Sequence, residues 1–197
     1  MSPMTKNRSN SLRIIACALL LLITAAGAPS RLAEEDSLPN FHKVGGNLYR
    51  GAQPRAGGIS RLKALGVKTI INLRGADEGA RVEEAEARAA GLNYFNVPLP
   101  GLSRPPDDKV EKVLALIKDP QNWPVFVHCN HGRDRTGTII ACYRISHDGW
   151  NLEEAMKEAK RYGLSWVQVG MKDYIKDYAR KNAQASLKEE RGPCPPS

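Results

Sequence analysis

Residues 125–137 read Val-Phe-Val-His-Cys-Asn-His-Gly-Arg-Asp-Arg-Thr-Gly, and Thr-Ile-Ile-Ala-Cys-Tyr follows. A short apolar run with β-branched residues leads into Cys129, then five polar or small residues, then Arg135, Thr136 and Gly137, then an apolar helical pattern. This order predicts a strand, a loop and a helix.

The flanking chain alternates in the same way. Residues 44–50 suggest a hairpin or turn feeding a strand, broken by Gly51-Ala52-Gln53-Pro54. A short helix is expected over 58–65, a buried strand over 67–74, a helix over 78–90 and a strand over 93–97. Four prolines and a glycine within 98–106 exclude a regular element there and mark a long loop. An amphipathic helix over 107–118 opens with Asp107 and Asp108, where carboxylates suit the helix dipole. The central strand spans 123–128, and helices are expected over 136–147, 152–162 and 167–183. Alternating strands and helices predict an α/β fold, a sandwich with a central, mostly parallel sheet flanked by helices.

At 197 residues, with 42% hydrophobic and 25% charged side chains, the chain suits one globular domain. Residues 1–13 carry cations and no acid, 14–28 are almost wholly apolar, and Ala25-Ala26-Gly27-Ala28 closes the run. This is the layout of a signal peptide over 1–28, which predicts an exported protein, periplasmic or secreted. The alternative is a membrane anchor formed by residues 14–28, although a run of about fifteen residues falls short of the roughly 20 a bilayer needs. Residues 29–43 are expected as a linker, with structure beginning near Phe41; 44–185 form the domain and 186–197 a flexible tail. Without Lys6, Arg8 and Arg13 the formal charge of +8 becomes +5, an excess that can steer anionic substrates. There is no aromatic and basic pattern of the RNA-binding kind, so nucleic acid is not expected as a partner.

A Cys-x5-Arg-Thr-Gly loop between a strand and a helix N-terminus has a definite chemistry. Successive backbone N–H groups and the positive end of the dipole form a cradle the size of a phosphate, contributed here by Asn130, His131, Gly132, Arg133, Asp134 and Arg135. Gly132 allows close backbone approach, and Gly137 is expected to let the helix pack against the loop. The planar fork of Arg135 can grip two oxygens of a tetrahedral oxyanion, which a lysine cannot do. The same positive surroundings favour a thiolate at Cys129, and the Thr136 hydroxyl can stabilise the sulfur as it leaves. Zinc binding by His128, Cys129 and His131 lacks a second cluster of ligands. Cys142, on an apolar face, is expected in the core. Cys194 is expected free or in a disulfide with Cys129.

His128-Cys129-x5-Arg135-Thr136-Gly137 resembles the phosphate loop of the cysteine-dependent protein tyrosine and dual-specificity phosphatases. Residues 47–54 and 70–74 are similar to segments of the atypical dual-specificity phosphatases of plants and fungi. The resemblance covers about residues 44–180. It implies a phosphomonoester hydrolase acting through a phosphocysteine on Cys129, with Arg135 holding phosphate and His128 supporting the thiolate. It implies phosphorylated protein or small phosphate esters as substrates, and no metal or organic cofactor. A phosphoinositide or inositol-phosphate phosphatase and a phosphate-binding pseudophosphatase are the alternatives.

Such an enzyme needs a proton donor for the leaving oxygen. In the common dual-specificity pattern it lies further upstream, at a position falling near Gly101, which cannot donate. Asp107 is therefore the first candidate and Asp108 a lesser one. Asp134, inside the loop, resembles a loop Asp of phosphoinositide phosphatases and is the second. His131 and Arg133 add positive charge suited to substrates with more than one phosphate. Arg50 and Arg74, at strand ends, are expected first as surface arginines, with reach to the site as the alternative.

Overall fold

The computed structural model describes residues 37–190, with side chains to 188. The signal segment at 1–28 and Cys194 lie outside the described residues. Five short strands form one sheet in the order β1-β2-β5-β3-β4: β1 His42–Gly45, β2 Leu48–Gly51, β3 Thr69–Asn72, β4 Asn93–Asn96 and β5 Val125–His128. Only the β1–β2 hairpin is antiparallel; β2–β5, β5–β3 and β3–β4 are parallel, as alternating strands and helices predict. Six α-helices accompany them: α1 Gly58–Ala64, α2 Glu78–Ala89, α3 Asp107–Lys118, α4 Asp134–Ser146, α5 Leu152–Arg161 and α6 Val169–Glu190.

Alternation along β5 sorts the two cores. Val125 and Val127 face α3, α4 and α6, meeting Val113, Ile117, Ile139 and Tyr174. Phe126 faces the opposite layer with Ile59, Leu62, Ala87 and Tyr94, from α1, α2 and β4. A third apolar cluster, including Ala141, Ala155, Ala159 and Ile175, locks α5 onto α4 and α6. Cys142 lies in the core as expected, and burial pushes its thiol pKa well up.

Three boundaries differ from expectation. Ser37 and Leu38, within the expected linker 29–43, are buried, and β1 already begins at His42. Leu38 packs with the Ile59 and Leu62 side chains, an anchoring that its polar neighbours conceal in the sequence. At the other end α6 continues through Glu190, past the boundary expected at 185, because residues 183–190 contain good helix formers and no Gly or Pro. Helix α4 starts at Asp134 and not at Thr136, so Asp134 and Arg135 belong to its first turn, where a carboxylate suits the dipole.

Candidate active site

The loop between β5 and α4 sits at the C-terminal edge of the central strand. Cys129 is buried in its base. The N–H groups of residues 130–135 donate to no acceptor among the described residues, and no side chain caps α4 at Arg133. Six backbone donors and an uncapped helix end are thus left free in the loop that follows the sulfur. That combination binds an oxyanion.

The loop carbonyls point the other way and are held. Arg50 Nη2 donates to Gly132 O at 2.9 Å, and Asn40 Nδ2 donates to His131 O and Gly132 O at 3.0 and 3.2 Å. Gln53 N donates to Asn130 O at 3.2 Å. Gly132 has φ +67°, and a Cβ there would stand 2.4 Å from the Gly51 carbonyl carbon and oxygen. Gly137 does not have the expected role: a Cβ would meet Ala159, Arg50 and Leu164 at an ordinary 3.9 Å, so its neighbours belong to α5, β2 and the segment after α5 and leave room for a methyl.

Arg50 corrects the surface reading. It is 1% exposed, stacked 4.5 Å from the Tyr162 ring, and its Nε and Nη1 have no hydrogen-bond partner among the described residues. Burial lowers its pKa to about 10, with Glu158, Tyr162 and Cys129 acting in the opposite sense. It remains a cation at neutral pH, set behind the loop. Arg74 instead serves as a brace, donating to Gln53 Oε1 at 2.6 Å and to Asp77 Oδ2 at 3.2 Å.

Of the expected site residues, Arg135 is half-buried and donates through Nη1 to Leu73 O at 3.3 Å, with its other donors unpartnered among the described residues. Thr136 is buried with an unpartnered hydroxyl. Asn130 and His131 are exposed at the loop tip, Nδ2 to Nε2 3.3 Å, and Arg133 is exposed beside Gly163. Asp134 opens α4 and accepts the Ser165 N–H through Oδ1 at 2.8 Å.

Asp107 is placed elsewhere. It pairs with Lys181 at 2.9 Å and lines a cavity with Arg104, Glu111, Tyr174 and Tyr178 that no residue of the 129–135 loop borders. Contact with Lys181, then with Tyr174, holds its carboxyl below the usual carboxylate range, the wrong direction for an acid. The helical spacing places Asp107 correctly at the α3 N-terminus, but α6 claims it. Asp108 is exposed in the same turn.

A buried network behind Cys129 escaped the sequence. His128 Nε2 lies 2.8 Å from Glu83 Oε1, both side chains almost fully buried, as an ion pair without hydrogen-bond alignment when His128 is protonated. Glu83 Oε2 accepts from Gln53 Nε2, Asn72 Nδ2 and Tyr94 OH at 2.9, 3.0 and 3.2 Å. Burial pushes the Glu83 carboxyl up; contact with His128, its charge, and the Gln53 and Tyr94 bonds together outweigh that and leave it lowered. The available signal was Ala80, Glu83 and Ala87 on one helical face, all buried. A Glu83→Gln substitution is expected to cost about 1.5–3 kcal/mol at neutral pH, read by chemical denaturation, since it weakens the hydrogen bonds that Gln53, Asn72 and Tyr94 make to a buried carboxylate. Because the folded pKa is depressed, the carboxylate's contribution is present above the unfolded pKa and fades as pH falls through the folded value. The difference between variant and parent therefore shrinks in acid.

A family model described as PTP-NADK, DSP-PTPase phosphatase fused to NAD+ kinase, matches residues 31–177. The chain belongs to this DSP-PTPase family. Among DSP-PTPase relatives, it is 31% identical over 141 residues to the dual specificity protein phosphatase TpbA of Pseudomonas aeruginosa, covering 71% of this chain and 62% of that one. It is 31% identical over 137 residues to the inositol diphosphatase DSP3 of Arabidopsis thaliana, covering 66% and 65%. The chain thus spans less than two thirds of the length of these curated relatives. The crystal structure of the core catalytic domain of the PP-IP phosphatase SIW14 from S. cerevisiae superposes with a TM-score of 0.66 at 26% identity, covering 78% of this chain and 94% of that one.

Proposed function

We propose that this chain is a phosphomonoester hydrolase, protein tyrosine and dual-specificity phosphatase-like, acting through a phosphocysteine on Cys129. The observation that carries it is the run of unbonded N–H groups at residues 130–135, ending at an uncapped helix and Arg135, directly after a buried cysteine. In the first step the thiolate attacks phosphorus, the P–O ester bond breaks, and the leaving oxygen takes a proton from a carboxylic acid. In the second, water gives a proton to the carboxylate, restoring the acid, and attacks the thiophosphate; the P–S bond breaks, and inorganic phosphate and the thiolate are released.

Asp134 is the proton donor in this reading. It opens α4 directly after the loop, with Oδ2 uncommitted among the described residues, whereas Asp107 is tied to Lys181. Export by residues 1–28 is part of the proposal and rests on their charge and apolar pattern. An aromatic phosphate ester suits the exposed Leu102 and Trp166, on segments tied together by Gln168 Nε2 donating to Gly101 O at 3.1 Å, with Ser165 bonded to Asp134 at the start of α4. A second reading, an inositol-phosphate phosphatase, is favoured by the names of relatives DSP3 and SIW14 and by exposed His131 and Arg133.

The test is vanadate-sensitive turnover of p-nitrophenyl phosphate and of a phosphotyrosine peptide. With the peptide, whose leaving group needs the proton, Asp134→Asn is expected to lower turnover by about 10²-fold or more and Asp107→Asn to leave it within about twofold. The reverse ranking overturns the choice of acid. Failure to turn over even p-nitrophenyl phosphate points to a pseudophosphatase.

A further inference from the structure

An open groove runs between α5 and α6. One stretch, of about 570 Å³, is bordered by Leu152, Met156, Lys157 and Lys176, and the next, of about 390 Å³, by Leu164, Ser165, Trp166 and Lys172. Met156, Lys160 and Lys176 border both stretches, so the two are continuous. One end is tied to the candidate site: Ser165 N donates to Asp134 Oδ1 at 2.8 Å, and the neighbouring Trp166 is 83% exposed.

The floor is apolar and the rims are cationic. Leu152 and Met156, one turn apart on α5, are half-buried against the cluster that holds Leu164 and Ile175. Helical spacing sets Lys157 and Lys160 along the α5 rim and Lys172 and Lys176 along the α6 rim. Against these four cations the lining holds one carboxylate, Glu153, while Asp173 pairs with Lys176 at 2.9 Å in an exposed contact of small worth. Lys172 donates to the Trp166 carbonyl oxygen, and among the described residues Lys157, Lys160 and Lys172 pair with no carboxylate. The dipole of α5 accounts for Lys160 in its last turn and for none of the other three.

We infer that this groove docks an acidic segment of a phosphoprotein substrate, with a bulky apolar side chain of that segment on Leu152 and Met156 and its carboxylates at the lysine rims. The inference rests on the proposed phosphatase function and deepens it by naming the sequence that surrounds the phosphorylated residue. From Leu152 to Lys160 the helix rises about 12 Å, which roughly four extended residues span. Alternate side chains of an extended segment point the same way, so one set meets the floor while the other reaches the rims. Lysine heads on flexible stems accept carboxylates at varied spacings. A flat bilayer fits less well, because Leu164 is buried and Leu152 and Met156 are half-buried beside the exposed Lys157 and Lys160. A second copy of the chain, itself at a formal charge of +8, meets the rims with like charge.

The test compares kcat/KM for two phosphotyrosine peptides of one length, one flanked on both sides by Glu and Leu and the other by Gly and Ser. The double charge reversal Lys157→Glu with Lys160→Glu is expected to lower kcat/KM for the acidic peptide about tenfold or more, through KM, and to leave the neutral peptide and p-nitrophenyl phosphate within about twofold. Lys109→Glu with Lys112→Glu, on α3, makes the same change of charge elsewhere and is expected to leave the acidic peptide within about twofold. Equal losses in the two double variants, or no preference of the parent for the acidic peptide, overturns the docking site. So does loss of binding to phosphatidylglycerol vesicles in the groove variant without any change in peptide preference, which makes the surface a membrane contact. Fluorescence anisotropy of the acidic peptide without its phosphate reads the groove with no chemistry, and equal affinity of parent and groove variant there also overturns it. The p-nitrophenyl phosphate assay reads the catalytic loop with no peptide, so the docking site and the phosphatase reading fail separately.

Discussion

Cys129→Ser is expected to lower phosphate-ester turnover by at least about 10⁴-fold while leaving the fold and phosphate binding in place. The thiolate is the attacking group under the proposed function, and a serine hydroxyl at the same position needs a base to become comparable. None is on offer: the His128 ring is held between Glu83, at 2.8 Å, and the Cys129 carbonyl oxygen, 3.4 Å from Nδ1. The cradle itself is made of backbone N–H groups, so it survives the exchange. The measurement pairs steady-state turnover with calorimetric phosphate binding and a thermal melt. Residual turnover above about 1% with an unchanged melt would falsify a phosphocysteine route.

Gly132→Ala is expected to cost both stability and activity. An alanine at φ +67° costs about 1 kcal/mol, and its methyl would press on the Gly51 carbonyl and on Ala52 N at 2.6 Å, backbone atoms that cannot rotate aside. Overpacking of this kind adds roughly 1–3 kcal/mol. A total near 3 kcal/mol corresponds to a fall in Tm of about 10 °C for a domain of this size. The displaced loop would also strain the bonds from Arg50 and Asn40, so activity should drop further than stability explains. Gly137→Ala is the control, since a Cβ there meets nothing closer than 3.9 Å; it should leave Tm unchanged or raise it slightly. Equal losses for both substitutions would show that helix packing, and not the loop's approach to β2, governs the site.

These two glycines show where local pattern stops being informative. Both stand in the same short motif, and sequence alone assigns each a close approach. The parallel register of β2 on β5, with Arg50 opposite Val127 and Gly51 opposite His128, is what pushes Gly51 against Gly132 and spares Gly137. Arg50 reads as a surface cation because it ends a short strand. Burial follows from the same register, which sets its guanidinium beneath the loop and under Tyr162 of the α5 end. Glu83 reads as one more acid in a helix of Ala, Glu and Arg, yet Ala80 and Ala87 bring that face of α2 close to the sheet and onto His128.

What the chain determines by itself is local. The nucleophile candidate, five intervening residues and Arg135 are covalently spaced, strand and helix periods flank them, and together they set the strand, the loop and the helix end wherever the rest of the chain goes. Only the tertiary structure decided which distant groups meet them: Glu83 at His128, Arg50 and Asn40 at the loop carbonyls, Arg161 beside Arg133, and Lys181 drawing Asp107 into a different cavity. Those pairings depend on strand order, register and helix rotation about the sheet. Shifting a parallel strand by one residue turns every side chain to the other face, and no short-range pattern carries that information.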